Sequence, residues 1–343
     1  MIKIGVIFGG KSSEHEVSLL SATSVIKAID RSKYEVHMIG ITREGVWMSF
    51  PGPVEMIADG SWEKHAIKIS MCDIKDFIDF ALPIMHGAYG EDGTIQGVFE
   101  MLDIPYAGCG VLASSLCMDK VSAKQVFDSN GIPTNKYMLV FAEEIRDNIE
   151  EVIKKIEDKI PYTLYVKPAN MGSSVGISKV KSRKELGAAL LLAIKYDRRI
   201  IVEEGINCRE IETGVIGNSR PKVAAVGEIL AKKDFYDYSA KYSDDSGTEL
   251  SIPADIPADT YKEIRRLALK AYKALDCAGF ARVDFFVDRD NGNIYINEIN
   301  TIPGFTKYSM FPSLWKEAGL SFGELIERIV EFGYERYNTK DRW

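Results

Sequence analysis

The opening of the chain constrains its fold more than any other stretch. Residues 4–8 form a short apolar run that stops at Gly9-Gly10, and a helical pattern starts directly behind it. Ser13 stands where an N-cap is needed and Glu16 follows three residues later, the spacing of a capping box. Val17, Leu20, Val25 and Ile29 then roughly keep the helical period. Residues 34–41 read as a second strand and residues 80–85 as another, ending at His86-Gly87. Strand and helix in alternation predict a parallel sheet whose carboxyl ends form the ligand edge.

From about residue 110 the pattern changes. A helix over 120–129 ends at Gly131, a fitting C-cap. A strand over 164–167 runs into Pro168, followed by a Gly/Ser loop, a helix over 183–196 and a strand over 200–203. Then come a long polar, aromatic loop over 232–248, a helix over 259–275, a hairpin and a closing segment. At 343 residues the chain is too long for one ordinary core, so two or three domains are expected. With 46% hydrophobic and 27% charged residues it has the balance of a folded soluble protein. A net charge of -7 argues against a large nucleic-acid surface but leaves room for a local basic pocket. No signal peptide is expected, because the first apolar run is too short for one. No apolar stretch of about 18 residues predicts a membrane helix. The five cysteines form no CxxC pair and fit reduced thiols in a cytoplasmic enzyme.

Gly172-Ser173-Ser174-Val175-Gly176 follows a strand and has small residues wherever backbone must approach a ligand. Its amides and hydroxyls suit phosphate oxygens, although in isolation such a run is an ordinary turn. It is not a Walker A loop: no GK[ST] follows, and Lys167 precedes it.

The hairpin over 281–300 is the strongest local signal. Arg282 and Asp284 lie two apart and share a face, as do Glu298 and Asn300 on the returning strand. Loop parity decides whether the four converge. A two-residue Asn291-Gly292 turn would set Asp284 opposite Ile299. A three-residue loop over 290–292 sets Asp284 opposite Glu298 and Arg282 opposite Asn300, with Gly292 suited to the left-handed position. We expect the odd loop. Two carboxylates and an amide oxygen then cluster beside one guanidinium, and the like charges of the carboxylates repel by several kcal/mol at intermediate dielectric. A hard cation such as Mg2+ relieves that cost. The commoner fate of such residues is a solvated face with an Arg–Asp salt bridge. Here the apolar flanks Phe280, Val283, Phe285, Phe286, Ile296 and Ile299 favour a buried cluster that needs a partner.

Three further features are ambiguous alone. The aromatic run over 235–242 within the long loop is either a closing lid or a tethered surface loop. Glu14, in the first turn of the first helix, is either a helix-dipole carboxylate or a ligand for an ammonium group at the sheet edge. His86 is either a structural turn histidine or part of that edge.

These pieces occur in one order. Residues 8–18 (FGGKSSEHEVS) resemble the N-terminal signature of D-alanine:D-alanine ligases, and residues 86–93 match the family's HGxxGEDG. The same holds for Met118-Asp119-Lys120, Val166-Lys167-Pro168 with the serine loop, and Arg209-Glu210-Ile211-Glu212. It holds again for residues 238–242 (YSAKY) and 297–304 (NEINTIPG). The resemblance covers residues 1 to about 330. It implies an α/β, three-domain ATP-grasp fold with an N-terminal Rossmann-like parallel sheet. The divisions are 1–110, 111–203 and 204–343, with a lid over 232–248.

The resemblance also implies roles. Lys120, Lys167 and Ser174 contact ATP phosphates, Glu203 and Glu210 hold the adenine and ribose end, and Lys241 reaches the γ-phosphate from the lid. Asp284, Glu298 and Asn300 bind two Mg2+ ions, with Mn2+ an accepted substitute. Arg282 and the Gly304 amide stabilise an oxyanion. Glu14, supported by Ser173 and Tyr242, binds the first D-alanine's ammonium; Ser309, Met310 and His86 border the second. A homodimer is implied, with no nucleic-acid or membrane partner. The chemistry agrees: an acyl phosphate made from one D-alanine needs neutralised phosphates, and its aminolysis passes through an oxyanion. No Ser-His-Asp or Cys-His arrangement is required. Within the family, a D-lactate type fits poorly because the lid carries Tyr242 and no histidine. A D-serine type is the runner-up, with Met310 favouring D-alanine because a thioether gives a hydroxyl no good hydrogen bond. Another carboxylate-amine ligase or a non-catalytic relative would lack Glu14, the 86–91 segment or the hairpin ligands.

Overall fold

Three sheets organise the chain, and a computed structural model describes residues 1–173, 175–230 and 249–339 of it. The first contains β1 (Ile2–Gly9), β2 (Tyr34–Ile41), β3 (Trp47–Phe50), β4 (Ile67–Lys68) and β5 (Phe80–Ile84), in the order β4-β3-β2-β1-β5. β1 lies at the buried centre, parallel to both β2 and β5, and Ile4, Val6, Ile7 and Phe8 are inaccessible to solvent. The expected parallel sheet is therefore parallel over β2, β1 and β5 only; β3 and β4 add an antiparallel edge.

α1 (His15–Ala28) crosses over this sheet, and α2 (Glu55–Ala58) and α3 (Thr94–Leu102) flank it. The expected capping box does not form. Glu14 occupies the N-cap position, and the hydroxyl of Ser12, rather than Ser13, accepts its N–H at 3.1 Å. The left-handed turn at Gly9 (φ 84°) and Gly10 (φ 98°) shifts the helix entry by one residue. Glu16 instead pairs with Arg43, and Leu20 of the anticipated apolar face is exposed.

α4 (Val111–Met118) and α5 (Lys120–Ser129) lead into β6 (Tyr137–Phe141), then α6 (Ala142–Glu157), β7 (Leu164–Pro168), β8 (Ser178–Val180), α7 (Arg183–Ala193) and β9 (Arg199–Glu204). The four strands pair antiparallel as β6-β9-β7-β8, covered by α6 and α7 around Val152, Ile156, Leu186 and Leu190. The last sheet holds β10 (Cys208–Ile216), β11 (Lys222–Leu230), β12 (Glu249–Ser251), β13 (Phe280–Asp288) and β14 (Ile294–Asn300), with α8 (Ala258–Ala274) before the hairpin. Its order is β12-β11-β10-β13-β14, all antiparallel. α9 (Met310–Glu317) and α10 (Phe322–Thr339) then return to the first sheet, where Phe311, Leu325 and Ile329 join Ile4, Val6 and Phe8 in one core. The chain end is thereby fastened to the chain start. No described helix is long and apolar enough to cross a membrane.

Candidate active site

A cavity of 440 Å³ lies where the three sheets face one another. Every described residue singled out above lines it: Glu14 and His86 from the first sheet's edge, Lys120, Lys167, Ser173 and Glu203 from the second unit, and Glu210 with the hairpin and Gly304, Ser309 and Met310 from the last. Ser174, Lys241, Tyr242 and the expected lid over 232–248 lie outside the described residues.

The hairpin reaches the anticipated convergence by another route. Asp288 and Asn293 pair across the turn, the Asp288 N–H donating to the Asn293 carbonyl at 2.9 Å. The loop over 289–292 thus has four residues, an even number, so the three-residue loop is not found. With that loop alone, Asp284 would face Asn297. A β-bulge corrects it: the register runs Phe285↔Ile296 and then Asp284↔Glu298, leaving Asn297 unpaired between them. Arg282 consequently sits opposite Asn300 and Asp284 opposite Glu298, on one face. Gly292 does take the left-handed conformation, at φ 75°. The two errors of one residue cancel, as bulges that re-aim side chains at active sites commonly do.

Within that face Arg282 forms a two-pronged pair with Asp284 (2.7 Å from both Nε and Nη2). It also lies 2.9 Å from Glu212. Asn300 donates to Asp284 at 2.9 Å, and Lys120 stands 3.5 Å from Glu298. Burial works against the charge on Arg282, but Asp284 and Glu212 outweigh it and hold the guanidinium protonated well beyond its usual range. Among the described residues no three carboxylates, imidazoles or thiols are already gathered as metal ligands. The cationic and amide side chains occupy that role here, so the salt bridge and the cation site are alternatives for the same oxygens. The donor set of Asp284, Glu298 and Asn300 is hard oxygen chemistry and fits a divalent cation such as Mg2+, provided Asn300 presents its carbonyl oxygen. Glu212 is a carboxylate that the sequence reading left without a role. It pairs with Asp284 across β10 and β13, and its two-residue spacing from Glu210 was the available signal.

At the other end the polarity reverses. Glu203, 2% exposed, lies between Lys124 (2.9 Å) and Lys167 (2.5 Å). Burial would raise its pKa, but the two ammonium groups hold it far below the carboxylate range. Burial likewise opposes the charge on Lys167, and Glu203 overrides it and raises its pKa. Lys124 also donates to Asn135 at 2.6 Å. Lys120 donates to the Met171 carbonyl at 2.9 Å, beside the Gly/Ser loop. Lys124 was not anticipated, since a lysine in a helix usually marks a solvated face.

Glu14 is wedged between two glycines. A Cβ on Gly87 would come within 2.4 Å of its carboxylate and one on Gly172 within 2.8 Å, so both loops close directly on it, and the left-handed φ of 70° at Gly87 also favours glycine there. Ser173 sits beside it with φ 49° and a buried hydroxyl that has no hydrogen-bond partner among the described residues. Glu91, on the same loop as His86, is raised to about 8 by burial and by the like charge of Glu14. His86 gives both ring nitrogens to protein partners, Ser21 and Ile302, each at 2.9 Å, and burial lowers its pKa. Ser309 begins α9, and its hydroxyl bonds Thr306. Met310 is buried and lies against Gly227, where a Cβ would meet its sulfur at 2.8 Å.

The arrangement combines a carboxylate pocket at a sheet edge, an acidic hairpin face and a lysine-rich end in one cavity. Known proteins resemble the chain over nearly its whole length. A family model described as D-ala D-ala ligase N-terminus matches residues 3–109, and one described as D-ala D-ala ligase C-terminus matches residues 126–331. The D-alanine--D-alanine ligase of Acetivibrio thermocellus is 48% identical, covering 98% of this chain and 96% of that protein. That of Clostridium acetobutylicum is 47% identical over 98% and 99%. Among solved structures, the VanG D-Ala:D-Ser ligase of Enterococcus faecalis superposes with a TM-score of 0.88 at 39% identity, covering 97% of this chain and 99% of that one. The D-alanine-D-alanine ligase of Coxiella burnetii gives 0.85 at 33% identity, covering 98% and 95%.

Proposed function

The chain belongs to the D-alanine–D-alanine ligase family, and from that premise we propose how its cavity divides the work of joining two D-alanines at the expense of ATP. The resulting dipeptide serves peptidoglycan synthesis. The carrying observation is that one cavity is lined by a lysine-rich cluster around Glu203, an acidic hairpin face and the Glu14 carboxylate. A domain limit at 110 falls between the first two sheets, and one at 203 lies one residue short of the end of β9.

Lys120 and Lys167, with Ser174, cradle the phosphates, and Glu203 and Glu210 border the nucleoside. Lys241 approaches the γ-phosphate. Asp284, Glu298 and Asn300 hold two Mg2+ ions, for which Mn2+ can substitute. When bound, the metal neutralises phosphate charge as the phosphoryl group moves to a carboxylate oxygen. Glu14 fixes the first D-alanine by its ammonium, with Ser173 and Tyr242 in support. Phosphorylation turns its carboxylate into an acyl phosphate, and ADP leaves. The second D-alanine, as its free amine, then attacks the carbonyl, and its nitrogen gives up the extra proton to the departing phosphate. Arg282 and the Gly304 amide face the oxyanion, and the C–O bond to phosphate breaks as the peptide bond is kept. A donor set aimed at developing charge is worth about 3–4 kcal/mol per donor. Ser309, Met310 and His86 border the second amino acid, where Met310 supplies an apolar wall for a methyl group. We further propose a cytoplasmic homodimer.

The test is to incubate the protein with ATP, Mg2+ and D-alanine, alone and with D-serine or D-lactate, and to identify products by mass. D-alanyl-D-alanine with stoichiometric phosphate is expected. A dominant D-alanyl-D-serine product would transfer the assignment to the D-serine type, and a dominant D-lactate product to the D-lactate type.

A further inference from the structure

The segment just beyond β14 has a backbone problem. Residues 301–303 are buried but lie past the end of the strand, so no ladder satisfies their polar groups, and Pro303 has no N–H to offer. The solution comes from the opposite end of the chain. The Ile302 N–H donates to Glu91 Oε2 at 3.1 Å, while Glu91 Oε1 accepts the Gly87 N–H at 2.9 Å. The Ile302 carbonyl faces His86 Nδ1 at 2.9 Å. A carbonyl only accepts, so Nδ1 carries the proton and Nε2 is left to accept the Ser21 hydroxyl at 2.9 Å. The Ser21 oxygen is then free to accept the Phe305 N–H, at 3.3 Å. One network therefore fixes the histidine tautomer and holds residues 302 and 305 on both sides of Gly304. Among the described residues none accepts the Gly304 N–H itself.

We propose that Glu91, His86 and Ser21 are positioning residues, which clasp the backbone over 302–305 and so set the Gly304 amide against the oxyanion and the entry to α9 against the second D-alanine. The proposal rests on the reading above, in which the Gly304 amide faces the oxyanion and the Ser309–Met310 corner borders the second amino acid. It gives His86 a task that its geometry can perform: both of its nitrogens are committed to protein, and it acts on substrate only through the segment it holds. It also gives a reason for joining α1, the 86–91 loop and the far end of the chain in one cavity. Three hydrogen bonds cross between elements more than 200 residues apart in sequence.

Hydrogen exchange read by mass spectrometry on a peptide spanning residues 302–305 tests the clasp directly, in wild type and in Glu91→Gln and Ser21→Ala. The variants should exchange faster there, while the melting temperature of Ser21→Ala stays close to wild type. In initial-rate assays, turnover should fall and the Michaelis constant for the second D-alanine should rise, each by about tenfold, with that for ATP within about twofold. Unchanged exchange in both variants would overturn the clasp, whatever the protein ligates. Faster exchange with unchanged kinetics, or with ATP affinity lost in equal measure, would overturn the positioning role. Failure of the wild type to make any dipeptide would instead count against the functional reading, and the exchange result would still stand.

Discussion

The cavity holds two buried ionic clusters that are near mirror images in charge. At one end, two ammonium groups close on a single carboxylate, Glu203, leaving an excess positive charge. At the hairpin, Arg282 and Lys120 face Asp284, Glu212 and Glu298, leaving an excess negative one. Neither imbalance is economical for a resting protein, because buried charge is costly unless compensated. Each makes sense for a ligand of the opposite sign: phosphate oxygens at the first, a divalent cation at the second. The surplus charges, more than the salt bridges themselves, carry the functional information.

The largest way to break this pairing is at Arg282. Arg282→Lys keeps the charge but loses the fork that grips Asp284, and turnover should fall about 100- to 1,000-fold. A loss below about threefold in steady-state assays would remove Arg282 from the oxyanion role. The lysine end should answer as stability first. Lys124→Met strips Glu203 and Asn135 of a fully buried partner and should cost about 3–5 kcal/mol in chemical denaturation, as broken buried pairs do. An unchanged denaturation midpoint would show that the cluster carries no strain to be compensated.

The pH response separates the ends further. Glu203 has a depressed folded pKa, so its stabilisation is complete above the unfolded value of about 4.5 and is lost as pH falls below it. Lys167 has a raised one, so its contribution holds below about 10.5 and is lost as pH climbs past its folded value. Glu91 runs the other way for a carboxyl. Raised to about 8, it stays protonated in the fold while the unfolded chain ionises, so stability declines from about pH 4.5 to 8 and then levels. Melting temperatures of wild type and Glu91→Gln should therefore draw apart across that window, with wild type losing ground as pH rises; parallel curves would refute the shift. The smallest expected effect is at Met310. Met310→Arg should move the product ratio toward the D-serine dipeptide by up to about tenfold in a competition of equal amines, since apolar walls discriminate a hydroxyl only weakly. A ratio that does not move places the choice elsewhere.

The parts of this molecule governed by periodicity were readable in its sequence, and the parts governed by single-residue offsets were not. The alternation of β1, α1 and β2 identified the parallel centre, whereas β3 and β4, four and two residues long, are too short to leave a pattern. The shared face of Arg282, Asp284, Glu298 and Asn300 was readable from alternation. The four-residue loop and the bulge at Asn297 were not, because each displaces the strand by one residue among equally polar neighbours. The same limit moved the helix entry from Ser13 to Glu14. Lys124 escaped because its burial depends on Glu203, nearly eighty residues away, and Glu91 because its partner Ile302 is a backbone group that no side-chain motif announces.

The claim that the hairpin's surplus negative charge is a cation site is tested most directly by titrating ATP binding calorimetrically, with and without Mg2+, in wild type and in Asp284→Asn. The wild type should bind ATP at least about tenfold more tightly with Mg2+, a difference of about 1.4 kcal/mol, and the variant should lose most of that gain while melting normally. A variant that keeps the full wild-type Mg2+ dependence would contradict the assignment.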